Sequence, residues 1–143
     1  MRIRTATTAD VDAIVELWAT TFPEYADPGR PQRAPRPSIE RKLAFGDGLF
    51  WVADADGALL GTIMAGYDGH RGWLYSLGVH PDARRAGLAR ALVSTAEDAL
   101  ARLGCIKINL QVLDANASGR AFWDAAGFVP DPVISYGKRI PST

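Results

Sequence analysis

Two arginines, a glycine and two alanines stand in one short run, Arg84-Arg85-Ala86-Gly87-Leu88-Ala89, just after the apolar stretch Leu77-Gly78-Val79-His80-Pro81. Those residue types suit the binding of an extended phosphorylated ligand. A helix that starts at this point leaves free backbone N–H groups and the positive end of its dipole converging on the turn. The small Ala86, Gly87 and Ala89 let a phosphate reach the main chain, and Arg84 and Arg85 add charge-assisted hydrogen bonds. A P-loop is excluded because no Gly-Lys-Ser/Thr follows, and there is no G-x-G-x-x-G. Gly78, inside an otherwise bulky strand, reads as a bulge or a close backbone approach, with a tolerated core glycine as the plain alternative.

The elements that must position this run follow from periodicity. A strand at residues 2–6 leads to Thr8 as N-cap and to a helix whose Val11, Ile14, Val15, Trp18 and Phe22 recur at helical spacing and which ends near Pro23. Residues 23–37 carry five prolines and read as a surface loop, of the kind that lines acceptor pockets or lids or is merely irregular. Ser38 caps a short second helix. Residues 49–53 and 59–67 form a hairpin about an Asp-Gly turn, and residues 73–79 add a third strand of the meander. A third helix runs over 87–103, with Leu88, Leu92, Ala96, Ala99 and Leu103 on one face. Ile106, Ile108, Leu110 and Val112 then alternate with polar residues as a strand, a fourth helix capped by Asn116 covers 117–126, and residues 128 and 133–140 supply a last strand. Labelled in chain order, the expected fold is mixed α/β, β1-α1-α2-β2-β3-β4-α3-β5-α4-β6, with a right-handed crossover that makes the fourth and fifth strands parallel.

Composition bounds the function classes. A chain of 143 residues, 48% hydrophobic and 22% charged, is expected to form one domain over 1–143. Sixteen basic residues balance sixteen acidic ones, so no general basic field attracts nucleic acid or an anionic membrane. The single Cys105 excludes an intramolecular disulfide, and the N-terminus lacks the apolar core of a signal peptide, so a cytoplasmic protein is expected. His70 and His80 have no third ligand at a recognisable spacing, and no metal is expected.

At this level the sequence resembles the GNAT superfamily of acetyl-CoA-dependent N-acetyltransferases. The family's pyrophosphate motif stands as residues 84–89, and its second signature, an Asn followed by a small residue, two aromatics and Gly-Phe, stands as Asn116 through Gly127-Phe128. The run Gly66-Tyr67-Asp68-Gly69-His70-Arg71-Gly72, continued by residues 77–81, looks most like the YpeA-type branch of small bacterial acetyltransferases. The resemblance implies a GNAT fold with acetyl-CoA as acyl donor. It also implies that the fourth and fifth strands splay, that the backbone of Leu77 and Val79 around Gly78 holds the pantetheine, and that Asn116 and Trp123 lie on the cofactor.

The resemblance implies transfer of acetyl to a primary amine of a small molecule or protein by direct attack on the thioester. A lysine amine, with an ordinary pKa of about 10.4, must lose a proton first. A main-chain N–H of the fourth strand, that of Val79, would stabilise charge on the acyl oxygen. The tyrosine that commonly serves as general acid on the fourth helix is replaced here by Trp123, whose indole donates a hydrogen bond but is no acid near neutral pH. Either Trp123 merely packs on the cofactor, or another group protonates the thiolate, or the thiolate leaves unprotonated. Tyr75 and Tyr136 are the catalytic candidates, both also readable as core or wall residues. Glu24, Glu40, Asp68 and His70 are candidate bases. The competing reading is a non-catalytic acyl-CoA-binding or regulatory module on the same fold. A monomer or homodimer is expected, with Trp51 and Tyr136 as a candidate contact patch.

Overall fold

The computed structural model describes residues 1–84 and 86–141. Five strands form one mixed sheet in the order β1-β2-β3-β4-β5. β1 (Arg2–Thr5), β2 (Phe50–Ala55), β3 (Ala58–Tyr67) and β4 (Gly72–Val79) pair antiparallel in sequence, and β5 (Ile108–Asn109) joins β4 in parallel. The β2–β3 turn is Asp56-Gly57 with φ of 53° and 95°, the double left-handed geometry of a tight hairpin, and Asp54 Oδ1 accepts the Gly57 N–H at 2.7 Å.

Four helices cover the sheet or follow it: α1 (Val11–Thr21), α2 (Pro35–Phe45), α3 (Leu88–Arg102) and α4 (Ala117–Ala125). Neighbouring residues of β3 show that α1 and α3 take opposite faces. Thr62 reaches Trp18 of α1, while a Cβ on Gly61 would touch Leu88 and Leu92 of α3. The core on the α1 side holds Ile14, Leu17 and Trp18 with Ile39, Phe50, Val52 and Met64. On the other side α3 buries Leu88, Leu92, Val93, Ala96 and Leu100. Asp10, in the short 3-10 turn before α1, accepts two bonds from Arg4 at 2.8 and 2.9 Å and one from the Thr7 N–H at 2.8 Å, and the guanidinium holds this carboxyl below its ordinary range.

Several expected boundaries move. α2 begins at Pro35, ahead of Ser38, because proline at the start of a helix gives up an N–H that the first turn does not use. The proline-rich segment holds two 3-10 turns, Pro23–Ala26 and Pro31–Arg33. The expected strand at 106–112 pairs only over Ile108–Asn109, with Ile106 left 98% exposed. The expected sixth strand is not formed among the described residues. Pro130 and Pro132 supply no N–H to a ladder, and Val133, Ile134, Tyr136 and Ile140 are exposed. Trp51 is buried on a strand flanked by β1 and β3, so it is no part of an exposed patch.

The chain divides into two compact units, Met1–Gln111 and Val112–Thr143. The first holds the whole sheet with α1 to α3, and the second holds α4. No helix among the described residues is long and apolar enough to cross a membrane.

Candidate functional site

The edge of β4 is irregular where the sequence places Gly78. Thr62 stands opposite Gly78 and Met64 opposite Tyr75, so Ser76 and Leu77 face Ile63 alone. This is a bulge on β4, and it re-aims the main chain. Ser76 takes φ of 51°, a left-handed conformation that costs an L-residue roughly 1–2 kcal/mol. Gly78 itself answers to a close approach: a Cβ there would lie 2.8 and 2.9 Å from ring carbons of Phe22.

Past the bulge, the His80 N–H donates to the Leu60 carbonyl at 2.7 Å, so the adjacent Val79 turns its own N–H and carbonyl toward the opposite edge. There the carbonyl accepts Arg84 Nε at 3.2 Å. On that edge β4 meets β5 only through Gly72–Ile108 and Trp73–Asn109. β5 ends at Asn109, so from Tyr75 to Val79 no ladder with it continues among the described residues.

The strand then leads through the 3-10 turn Pro81–Ala83 to the start of α3. Gly87 is the N-cap with φ of 77° and has no side chain to cap the helix, and the first bond of the ladder is Ala91 N–H to the Gly87 carbonyl at 3.1 Å. The N–H groups of Leu88 and Ala89 therefore belong to the free first turn. A Cβ on Gly87 would meet nothing within 4 Å, so the approach is open. Leu88 is buried and anchors the turn, whereas Arg84 and Ala86 are exposed. Arg85 lies outside the described residues. Main-chain donors, a helix dipole and a guanidinium form a donor set that fits a phosphate group.

The proton-transfer candidates differ in setting. Tyr75 is about half exposed, its ring stacked 6.5 Å from that of Trp73, and burial followed by the charge of Asp68 pushes its hydroxyl above the ordinary value. The bulge interrupts the alternation that would align Tyr75 with Leu77. Asp68 Oδ1 accepts the N–H groups of Arg71 and His70, both at 2.8 Å, and these bonds hold it below the usual carboxylate range, which weakens it as a base. Glu40 is 4.0 Å from Arg36 on the exposed side of α2, and Glu24 is exposed on the turn after α1.

One neighbour of the bulge escapes the sequence reading. Tyr25 stacks on Phe22 at 4.5 Å, lies 5.2 Å beneath the Arg33 guanidinium, and its hydroxyl is hydrogen-bonded to Ser76 Oγ at 3.1 Å. Burial raises its pKa, with the Ser76 bond and the Arg33 charge acting the other way. Its signal was the spacing Trp18, Phe22, Tyr25, which continues the helical period past Pro23.

In the second unit Asn116 caps α4, its Oδ1 accepting the Gly119 N–H at 3.0 Å and the Ser118 hydroxyl at 3.3 Å. The Trp123 ring meets Phe122 and Phe128 edge-on at 5.0 and 5.1 Å. Tyr136 is 91% exposed and outside any strand. The described members of the predicted set thus fall in two groups. Tyr75, Leu77, Gly78, Val79, Arg84 and residues 86–89 occupy one continuous stretch of the first unit, and Asn116, Trp123 and Tyr136 belong to the second. No group of three His, Cys, Asp or Glu able to hold a metal occurs among the described residues.

Residues 11–128 match the family model described as acetyltransferase (GNAT) family. An acetyltransferase of Yersinia enterocolitica is 40% identical over 140 residues, covering 98% of this chain and 96% of that protein. One of Pectobacterium atrosepticum is 41% identical with the same coverage. Among solved structures, the PaiA N-acetyltransferase of Thermoplasma acidophilum in complex with coenzyme A is similar with a TM-score of 0.79 at 20% identity, over 93% of this chain and 92% of that one. An aminoglycoside N-acetyltransferase in complex with CoA reaches 0.76 at 24% identity, over 97% and 95%. The solved structures speak for the fold, and the family match and the closer relatives speak for descent. The chain belongs to the acetyltransferase (GNAT) family.

Proposed function

We propose that the protein is an acetyl-CoA-dependent N-acetyltransferase that moves an acetyl group to a primary amine of a small molecule or protein, working as one catalytic domain over residues 1–143. The observation that carries this reading is the continuous stretch from the β4 bulge to α3. An outward-turned Val79 is followed by a helix start at Gly87, which brings no side-chain cap. Bound acetyl-CoA supplies an activated acyl group. The N–H groups of Leu88 and Ala89 bind the pyrophosphate at the positive end of α3, with Arg84 and Arg85 adding charge. The main chain of Leu77 and Val79 pairs with the pantetheine, and the Val79 N–H is aimed to stabilise charge on the acyl oxygen. Tyr75 keeps its proton at neutral pH, so the role open to it is donor to the leaving thiolate rather than base, and its raised pKa makes it a weak donor. The YpeA-type branch is the one that residues 66–72 and 77–81 support.

Calorimetry with acetyl-CoA, then CoA release over a panel of amines and peptide N-termini, tests the reading. Saturable binding and release faster than uncatalysed hydrolysis with at least one amine are expected; absence of binding overturns it. A second reading, an acyl-CoA-binding module without transfer, draws on Trp123, which packs between Phe122 and Phe128 where the family commonly has a tyrosine. Binding without release on any acceptor would favour it.

A further inference from the structure

The bulge on β4 raises an accounting question: what satisfies the groups that it takes out of register? In a regular ladder the Ser76 carbonyl would meet a β3 N–H. Here it accepts a side-chain hydroxyl, Thr62 Oγ1, at 3.2 Å. The same oxygen accepts the Trp18 Nε1–H at 2.9 Å. An indole only donates, so the direction of the relay is forced: Trp18 to Thr62, and Thr62 to the Ser76 carbonyl. Trp18 and Thr62 are both fully buried, at 0% exposure. A valine would fill the Thr62 site as well by shape, so the buried hydroxyl is accounted for by these two bonds.

A second support comes from the turn after α1. Tyr25 holds Ser76 Oγ at 3.1 Å, and Phe22, stacked on Tyr25, covers Gly78 on the same face. The left-handed Ser76 is therefore gripped at its carbonyl and at its side chain by groups up to 51 residues away in sequence.

We infer that Thr62 is a positioning residue: relayed from Trp18 and backed by Tyr25, its hydroxyl fixes the bulge that turns the Leu77–Val79 main chain toward the acyl donor. This rests on the proposed function for the identity of the donor, but the geometry it describes exists in the free protein.

The test compares Thr62→Val, which keeps shape and loses the hydroxyl, with Thr62→Ser, which keeps the hydroxyl. Amide hydrogen exchange is followed in the free protein over the peptide holding residues 76–79, with calorimetry of acetyl-CoA alongside. Thr62→Val is expected to speed exchange in that peptide about tenfold more than in β2, and to weaken acetyl-CoA by about the same factor, the effect of losing the one of its two buried hydrogen bonds that reaches Ser76. Thr62→Ser is expected to restore both within about threefold. Equal behaviour of the two variants, or wild-type exchange in Thr62→Val, overturns the inference. Should Thr62→Val fail to fold, Tyr25→Phe removes the second grip alone, and unchanged exchange at 76–79 in that variant counts against the inference. If the wild type binds no acetyl-CoA, the proposed function fails, while the exchange comparison still decides the role of Thr62.

Discussion

Two stretches carry the family signatures, and they use their polar groups in opposite ways. After β4, donors are left unspent: the Val79 N–H turns away from β3 while its carbonyl takes Arg84 Nε, and α3 starts at Gly87, which brings no side-chain cap. Around α4 the cap is spent internally: Asn116 Oδ1 is taken by Gly119 and Ser118, while Trp123 makes ring contacts with two phenylalanines. Motifs of similar strength in sequence thus differ in what they leave for a ligand. The first is open to an anion; the second chiefly stabilises its own helix.

The largest test of that contrast is Gly87→Glu. A carboxylate at the positive end of α3 competes with a phosphate, and a non-glycine residue must also hold φ of 77°. Acetyl-CoA affinity is expected to fall by more than about 100-fold, roughly 2.7 kcal/mol, in calorimetry. Gly87→Ala separates the causes. Its Cβ meets nothing within 4 Å, so it carries only the backbone cost of roughly 1–2 kcal/mol in unfolding free energy, with a much smaller loss of affinity. Wild-type affinity in Gly87→Glu would remove the basis for calling this stretch the open one.

The same division explains what was legible in the sequence. α1, α3 and α4 carry their apolar period and boundary residues locally, so each was readable without its neighbours. β2 to β4 were readable because Asp56-Gly57 and the glycine-rich turn before β4 mark their ends. Alternation at 106–112 and 133–140 showed which side chains could share a face, but it cannot supply a partner strand, and only Ile108–Asn109 found one. The bulge was hidden for a related reason. It depends on Thr62 and Tyr25, 14 and 51 residues from Ser76, so Gly78 marked the right stretch while the left-handed residue was Ser76. Tyr25 was masked by Pro23, which ends α1 although the aromatic spacing runs on. Of the candidate site, the stretch that carries the motif was legible; the geometry that re-aims its main chain was not.

Gly78→Ala ranks next, because it attacks the support of the open stretch from behind. The new methyl would lie 2.8 and 2.9 Å from the Phe22 ring and 3.1 Å from Thr21 Oγ1. The ring is stacked on Tyr25 and edge-on to Trp18, which restricts its retreat. Overpacking of this kind is expected to cost about 1–3 kcal/mol in denaturant unfolding. Combining it with Phe22→Leu should cost less than the sum of the two single changes, since shrinking the ring removes the obstacle. Additive losses would mean that Gly78 is needed for something other than the approach of Phe22.

The smallest expected effect lies on the other side of the contrast. Asn116→Ala removes an N-cap, a change worth about 1 kcal/mol, and α4 buries no residue of its own among the described ones, so local bonds matter more to it than to α3. Thermal unfolding or exchange of the α4 amides should register that loss. Asn116→Ser, an equally good cap, should restore it. Acetyl-CoA affinity should stay within about threefold in both variants, because the oxygen removed already serves the Gly119 N–H rather than a ligand. A loss of affinity in Asn116→Ala that Asn116→Ser fails to repair would assign the side chain to the ligand through its amide nitrogen. The second stretch would then be as open as the first.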